Sequence, residues 1–110
     1  MSDIADVTIR YLNDQLRQSL AGGVLVMTAG VIALGHACHL RILQAVAGFD
    51  AFDASNDPYG EHDFGAVEVE GERLFWKIDY YDRNLSVHSP DPADPSVTTR
   101  VLTIMLAEEY

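Results

Sequence analysis

The 110 residues of this chain, 48% of them hydrophobic, fit a single domain over residues 1–110 with one core that needs no disulfides. Seventeen acidic and seven basic residues give a net charge of −10, with the acids concentrated between Asp50 and Asp94. This charge disfavours direct binding to nucleic-acid phosphates and attracts basic proteins and cations, although solubility alone is a competing explanation.

The first residues predict a helix and a strand. Ser2 or Asp3 can cap a helix that runs to about Leu20 and ends at a pair of glycines. The apolar stripe of this helix consists of Ile9, Leu12, Leu16 and Leu20. Residues 24–28, VLVMT, are short, β-branched and bounded by glycines, which favours a buried strand.

A second helical region and a long loop follow. Thr28 or Gly30 opens the helical region, which reaches about Phe49 and is broken or bent near Gly35. Its expected core residues are Leu34, Cys38, Ile42, Leu43 and Val46. Residues 50–63 contain Asn, Asp, Pro and Gly in turn-forming combinations and predict an ordered loop, with turn caps at Asp53, Asn56 and Asp57.

The second half of the chain predicts a hairpin and a final helix. Residues 64–70 and 72–82 flank Gly71, and their alternation places Leu74, Trp76 and Ile78 inward and Lys77, Asp79 and Tyr81 outward. Residues 97–108 are open to two interpretations. A cap at Asp94 and Pro95 as first helical residue predict a helix through Met105, and a strand over residues 101–105 is the alternative.

The order α-β-α-β-β-α predicts an α+β fold. We expect a small two-layer sandwich with a three-stranded, mainly antiparallel sheet and about three helices on one face.

Composition also indicates the compartment. A single cysteine, Cys38, excludes an intramolecular disulfide and, with its apolar neighbours, suggests a buried thiol in a reducing environment. The N-terminus lacks the pattern of a signal peptide, and glycines and histidines interrupt the longest apolar stretch. We therefore expect a cytoplasmic protein that does not enter a membrane.

Acidic loops and exposed tyrosines form the candidate partner-binding surface. Carboxylates would steer a basic protein surface toward the chain, and Tyr59 and Tyr81 would anchor it. The candidate contact residues are Asp57, Tyr59, Glu61, Asp63, Asp79, Tyr81, Asp82, Asp91 and Asp94.

Other chemistry has weaker support. The acids of residues 50–63 do not follow EF-hand spacing, and His36 and His39 lack a third zinc ligand in sequence range, so we expect no metal and no cofactor. His62, Asp63 and His88 could serve a small hydrolase, metal-dependent or histidine-dependent, if they converged in one pocket, but no nucleophile stands out. We expect no catalytic residues.

A third alternative is a homodimeric regulatory or structural module. In this alternative, the tyrosine-rich strand of residues 74–82 pairs with its copy along an exposed edge.

Four segments carry a resemblance to a known family. NDPYGEHDFG, FWKIDYYD, SPDPADP and TRVLTIMLAEEY together resemble the bacterial family catalogued as domain of unknown function 3768, and the likeness covers nearly the entire chain. Members of that family look like products of plasmids and other mobile elements. The resemblance implies a role in the contest between mobile DNA and its host, similar to that of anti-CRISPR and anti-restriction proteins.

Charge and resemblance together predict a non-enzymatic inhibitor. Carboxylates can occupy an arginine- and lysine-lined groove that otherwise binds phosphates, because both anions accept hydrogen bonds from the same donors. The expected partner is a basic surface of a nucleic-acid-processing defence complex.

Overall fold

A computed structural model, which describes residues 4–110, contains three α-helices packed on one face of a four-stranded sheet. The helices are α1 (Ile4–Ser19), α2 (Ala29–Ile32) and α3 (His36–Gly48). The strands are β1 (Val24–Met27), β2 (Phe64–Val69), β3 (Glu72–Tyr81) and β4 (Thr99–Leu106). Their order in the sheet is β1-β4-β3-β2, with β1 parallel to β4 and the other neighbours antiparallel. The α+β class is confirmed, but the sheet has four strands rather than three.

The fourth strand replaces the predicted final helix. Asp94 does cap a helical turn, accepting a hydrogen bond from the Ser96 N–H, and Pro95 is its first residue. That turn is a 3₁₀ helix that ends at Val97. The β-branched residues that follow form β4, which lies between β1 and β3 and is paired along both edges. The helix interpretation was wrong and the strand alternative is confirmed, because strand pairing on two sides outweighs a local helix start.

The hairpin of β2 and β3 is confirmed. Glu70 and Gly71 form its two-residue turn with φ of 53° and 81°, the left-handed pair that matches strand twist. Leu74, Trp76 and Ile78 are buried against the helices, as the alternation predicted.

Helix α1 turns two polar residues inward. Its proposed caps, Ser2 and Asp3, lie outside the described residues. Ile9 and Leu16 are buried as predicted, whereas Leu20 is exposed because the helix ends one residue earlier. Further buried residues on the same face are Asn13 and Arg17.

Strand β1 is an edge strand. The predicted strand is present, but Val24 and Val26 are 44% and 41% exposed because the outer face of the sheet carries no helix. The helical region after it divides at Gly35, whose φ of 93° favours glycine, into α2 and α3. Within residues 4–110, the helices are too short or too polar to span a lipid bilayer.

Candidate functional site

Strand β3 is longer than its neighbour β2, and the difference leaves a gap at that edge of the sheet. β2 begins at Phe64, opposite Lys77, whereas β3 continues to Tyr81. Beyond Lys77 two loops take the place of β2. One is the loop of residues 50–63, and the other is the loop of residues 82–94.

Each loop makes one backbone hydrogen bond to the uncovered edge of β3. The Ile78 N–H donates to the Asp63 C=O at 2.8 Å, and the Ser89 N–H donates to the Tyr80 C=O at 3.0 Å. Between these two bonds lies a cavity of about 290 Å³, which we call the acidic slot. Its lining residues are Asp63, Ile78, Asp79, Tyr80, Tyr81 and His88.

Asp63 carries an unbalanced negative charge in the acidic slot. Burial raises the pKa of its carboxyl above the ordinary value, and the charges of Glu61, Asp57 and Asp79 raise that pKa further. Within residues 4–110, no basic side chain forms an ion pair with Asp63. The Nζ atom of Lys77 lies 3.2 Å from Oδ2 of Asp79 and balances that carboxylate instead. A cation entering from outside would therefore stabilise the ionised form of Asp63.

A buried polar network stands behind the slot. The Asn13 amide donates to the Tyr80 hydroxyl at 2.7 Å and to the Glu61 C=O at 3.0 Å, and it accepts from Nε of Arg100 at 3.0 Å. The Tyr80 hydroxyl donates to Oε1 of Glu61 at 2.8 Å. Burial raises the pKa of Tyr80 far above its ordinary value, so the phenol stays a hydrogen-bond donor at neutral pH. The network therefore fixes both the backbone and the carboxylate of Glu61.

The loop of residues 50–63 is further anchored through His62. Nδ1 of His62 lies 2.9 Å from Oδ1 of Asp14, on α1, and the His62 N–H donates to Oδ1 of Asp57 at 3.1 Å. The imidazole stacks on the ring of Phe52 with a centroid distance of 3.8 Å. These contacts hold the residue next to Asp63, so α1 constrains the backbone position of Asp63.

Some of the predicted contact residues meet at the acidic slot. Asp63, Asp79 and Tyr81 line it, and Glu61 adjoins it through Tyr80. Asp57 is only 8% exposed and is used inside the loop, as the cap predicted for it requires. Asp57 can contribute charge to a partner surface but offers little contact area.

The remaining predicted contact residues do not line the slot. Asp82 and Asp94 accept hydrogen bonds from Ser86 and Ser96, which lower the pKa of each carboxyl, and Asp91 accepts from the Ala93 N–H. These three carboxylates stabilise turns of the loop 82–94, whereas Tyr59 is 70% exposed on the other loop.

The residues that hold the slot together were not among the predicted site residues. Asn13 lies on the buried face of α1 at helical spacing from Ile9, and a polar residue within an apolar stripe was the available signal. Tyr80 continues the inward alternation of Trp76 and Ile78. Arg100 lies on the strand that was predicted to be a helix, so its hydrogen bond to the buried Asn13 could not be anticipated.

The alternative sites are not assembled. Within the part of the chain that the structure describes, no three His, Cys, Asp or Glu side chains are placed to hold a metal ion. Asp63 and His88 share the slot, but His62 does not line it and faces Asp14. Nε2 of His39 lies 2.7 Å from the Val31 C=O, a structural contact.

The substitution Asp63→Asn should raise the free energy of unfolding by about 0.5–1 kcal/mol at neutral pH, because it removes a penalised charge from a partly solvated site. The pKa of Asp63 is higher in the folded than in the unfolded protein. The protonated carboxyl therefore favours folding at low pH, and this contribution is lost as pH rises through the folded-state pKa. The advantage of the variant should therefore disappear below about pH 4. Urea unfolding of both proteins between about pH 4 and neutral pH measures this difference in the free energy of unfolding.

The control for this substitution is Asp94→Asn. The pKa of Asp94 is lowered, so removing its charge should reduce stability at neutral pH. An Asp63→Asn variant less stable than the parent chain at neutral pH would contradict the burial argument.

Comparison with known proteins places the slot within a family. A family model described as "Protein of unknown function (DUF3768)" matches residues 27–109, which include both loops and strands β2 to β4. No curated protein and no solved structure matches the chain. The matched segment spans most of the 110 residues, so the chain belongs to the DUF3768 family, as its resemblance predicted.

Proposed function

We propose that the protein is a non-enzymatic binding protein whose acidic slot receives a cationic side chain from a basic protein surface. The observation that carries this proposal is the Asp63 carboxylate, half-buried, surrounded by other acids and without a basic partner among residues 4–110. Such a charge costs stability in the free protein. A binding partner that supplies the missing cation recovers that cost.

The dimensions and lining of the slot suit one arginine or lysine side chain. Its volume of about 290 Å³ is at the lower limit for a small-molecule pocket and is enough for one long side chain. Tyr81 and His88 supply ring surfaces, and Asp63 and Asp79 supply carboxylates. A guanidinium group can stack on a ring while it donates two hydrogen bonds to a carboxylate, so arginine fits better than lysine.

The remaining acids would act at longer range. The net charge of −10 accelerates the approach of a basic partner, and the carboxylates of Asp82, Asp91 and Asp94 lie on the loop next to the slot. Tyr59, which is strongly exposed on the loop of residues 50–63, would add an aromatic contact outside the slot.

We further propose that the partner is a basic, nucleic-acid-binding surface of a bacterial defence complex, such as a CRISPR effector or a restriction nuclease. The resemblance to products of mobile elements motivates this choice. Carboxylates on the slot and its flanking loops would compete with phosphates for the same arginine and lysine donors in the cytoplasm. The protein would then act as an anti-defence inhibitor without catalysing a reaction.

A pair of charge-matched double variants tests the slot. Asp63→Asn/Asp79→Asn and Asp91→Asn/Asp94→Asn each remove two negative charges. For an arginine-rich peptide, we expect the first pair to weaken binding by about tenfold or more, since it removes contacts inside the slot. The second pair should weaken binding by about threefold or less, because these two carboxylates lie outside the slot and an asparagine at either position keeps an oxygen that can accept the turn hydrogen bond. Isothermal titration calorimetry at low ionic strength measures both.

The peptide in which citrulline replaces each arginine is the neutral control and should not bind. Equal losses for the two double variants would show that only net charge matters and would contradict the slot proposal. Binding that does not weaken with added salt would contradict the electrostatic part.

The anti-defence role requires a cellular test. Bacteria with an active CRISPR or restriction system should accept a targeted plasmid more often when they express this protein, and the Asp63→Asn/Asp79→Asn variant should lose most of that protection. Transformation efficiency is the measurement, and a non-targeted plasmid is the control. If the parent protein protects the plasmid from neither the CRISPR system nor the restriction system, the anti-defence role is refuted. The peptide-binding proposal would be unaffected by that result.

A further inference from the structure

The free edge of β1 exposes unpaired backbone groups. The Thr28 N–H donates to the Ile104 C=O, so residues 24, 26 and 28 direct their backbone groups toward β4. Backbone groups alternate in direction along a strand, so those of Leu25 and Met27 point to the opposite edge. Among residues 4–110 no strand pairs with that edge. Backbone groups on an open edge are a template for another strand.

Apart from the shortness of β1, which has four residues, this edge lacks the usual protection. Charged side chains, prolines and bulges normally prevent edge strands from pairing with other chains, and β1 has none of them. Residues 18–40 contain no Asp, Glu, Lys or Arg at all. The other edge strand, β2, carries Glu68 and is followed by the ion pair of Arg41 with Glu70.

The absence of charge selects the partner. Two copies that each carry a net charge of −10 repel one another over most of their surface, and the uncharged edge of β1 is where they approach at the lowest cost. A basic partner would gain less there than at the acidic slot, which lies on the β2 side of β3.

The two ends of β1 also carry opposite charges on neighbouring residues. Arg83, which is exposed, lines a cleft with Val24 at the start of the strand. At the far end, Glu109 accepts hydrogen bonds from the hydroxyl of Thr28 and the N–H of Gly30. An antiparallel arrangement of two β1 strands would place the basic end of one copy beside the acidic end of the other.

We propose that two copies of this chain associate through antiparallel pairing of their β1 strands about a two-fold axis. The sheets then become continuous, and Val24 and Val26 of each copy meet those of the other on the outer face. The acidic slots remain open, since they lie toward the opposite edge of each sheet. This dimer does not depend on the binding function of the slot.

The dimer is small, and its dissociation constant should be on the order of 100 µM. Sedimentation equilibrium of the full chain, from about 10 µM to about 1 mM, should show the mass rising from that of one chain toward that of two. Amide hydrogen exchange supplies the residue-level readout. The N–H groups of Leu25 and Met27 should exchange more slowly as concentration rises, whereas that of Val26, already directed at β4, should not change.

Two variants with the same net charge separate β1 from the other edge of the sheet. Val26→Lys places like charges beside the axis and should weaken dimerisation by about tenfold or more. Glu68→Gln, on β2, changes the net charge by the same amount and should leave dimerisation unchanged or slightly stronger. Thermal unfolding of both variants confirms that they fold.

Several results would overturn the proposal. They are a constant monomer mass up to about 1 mM, a dimer that Val26→Lys does not weaken, and a dimer whose formation leaves exchange at Leu25 and Met27 unchanged. A dimer that Glu68→Gln alone disrupts would assign the interface to β2 instead.

Discussion

The arrangement of the acidic slot depends on the hydrogen bonds of one buried side chain, Asn13. Its amide group contacts the loop of residues 50–63 through Glu61, strand β3 through Tyr80 and strand β4 through Arg100. Helix α1, the loop and two central strands are therefore joined at one point. Displacing this buried amide would cost free energy at each of its three hydrogen bonds, since each lost bond leaves a buried polar group unsatisfied. The loop cannot move away from β3 while this network is intact.

That rigidity explains how the protein can keep an unfavourable charge. Asp63 follows directly after the anchored residues Glu61 and His62, and its C=O bonds to the Ile78 N–H, so its backbone is held at the edge of β3 although burial and neighbouring acids raise the pKa of its carboxyl. A mobile loop would relieve this cost by exposing the carboxylate to water. We interpret the retained cost as preorganisation for a cation, which is the usual compromise between stability and function at a binding site.

Local patterns in the sequence predicted the parts of the fold that local physics decides. The break at Gly35 and the hairpin around Gly71 follow from glycine backbone freedom and from alternating side chains. The choice between helix and strand for residues 97–108 could not be made locally, because Asp94 and Pro95 start a real helical turn and only pairing with two distant strands shows that it stops. Asp63 and Asp79 were identified as candidates from the sequence. That they lie in one slot depends on β3 extending four residues beyond the end of its pairing with β2, which local patterns do not show.

The central claim is that the ionised form of Asp63 awaits a cation from a partner, and its pKa tests this most directly. The carboxyl carbon of Asp63 can be titrated by NMR in the free protein and again with a saturating arginine-rich peptide. The account predicts a pKa above the ordinary 3.8 in the free protein, which falls on binding as the guanidinium enters the slot. A pKa that is unshifted in the free protein, or that peptide binding leaves unchanged, would contradict it.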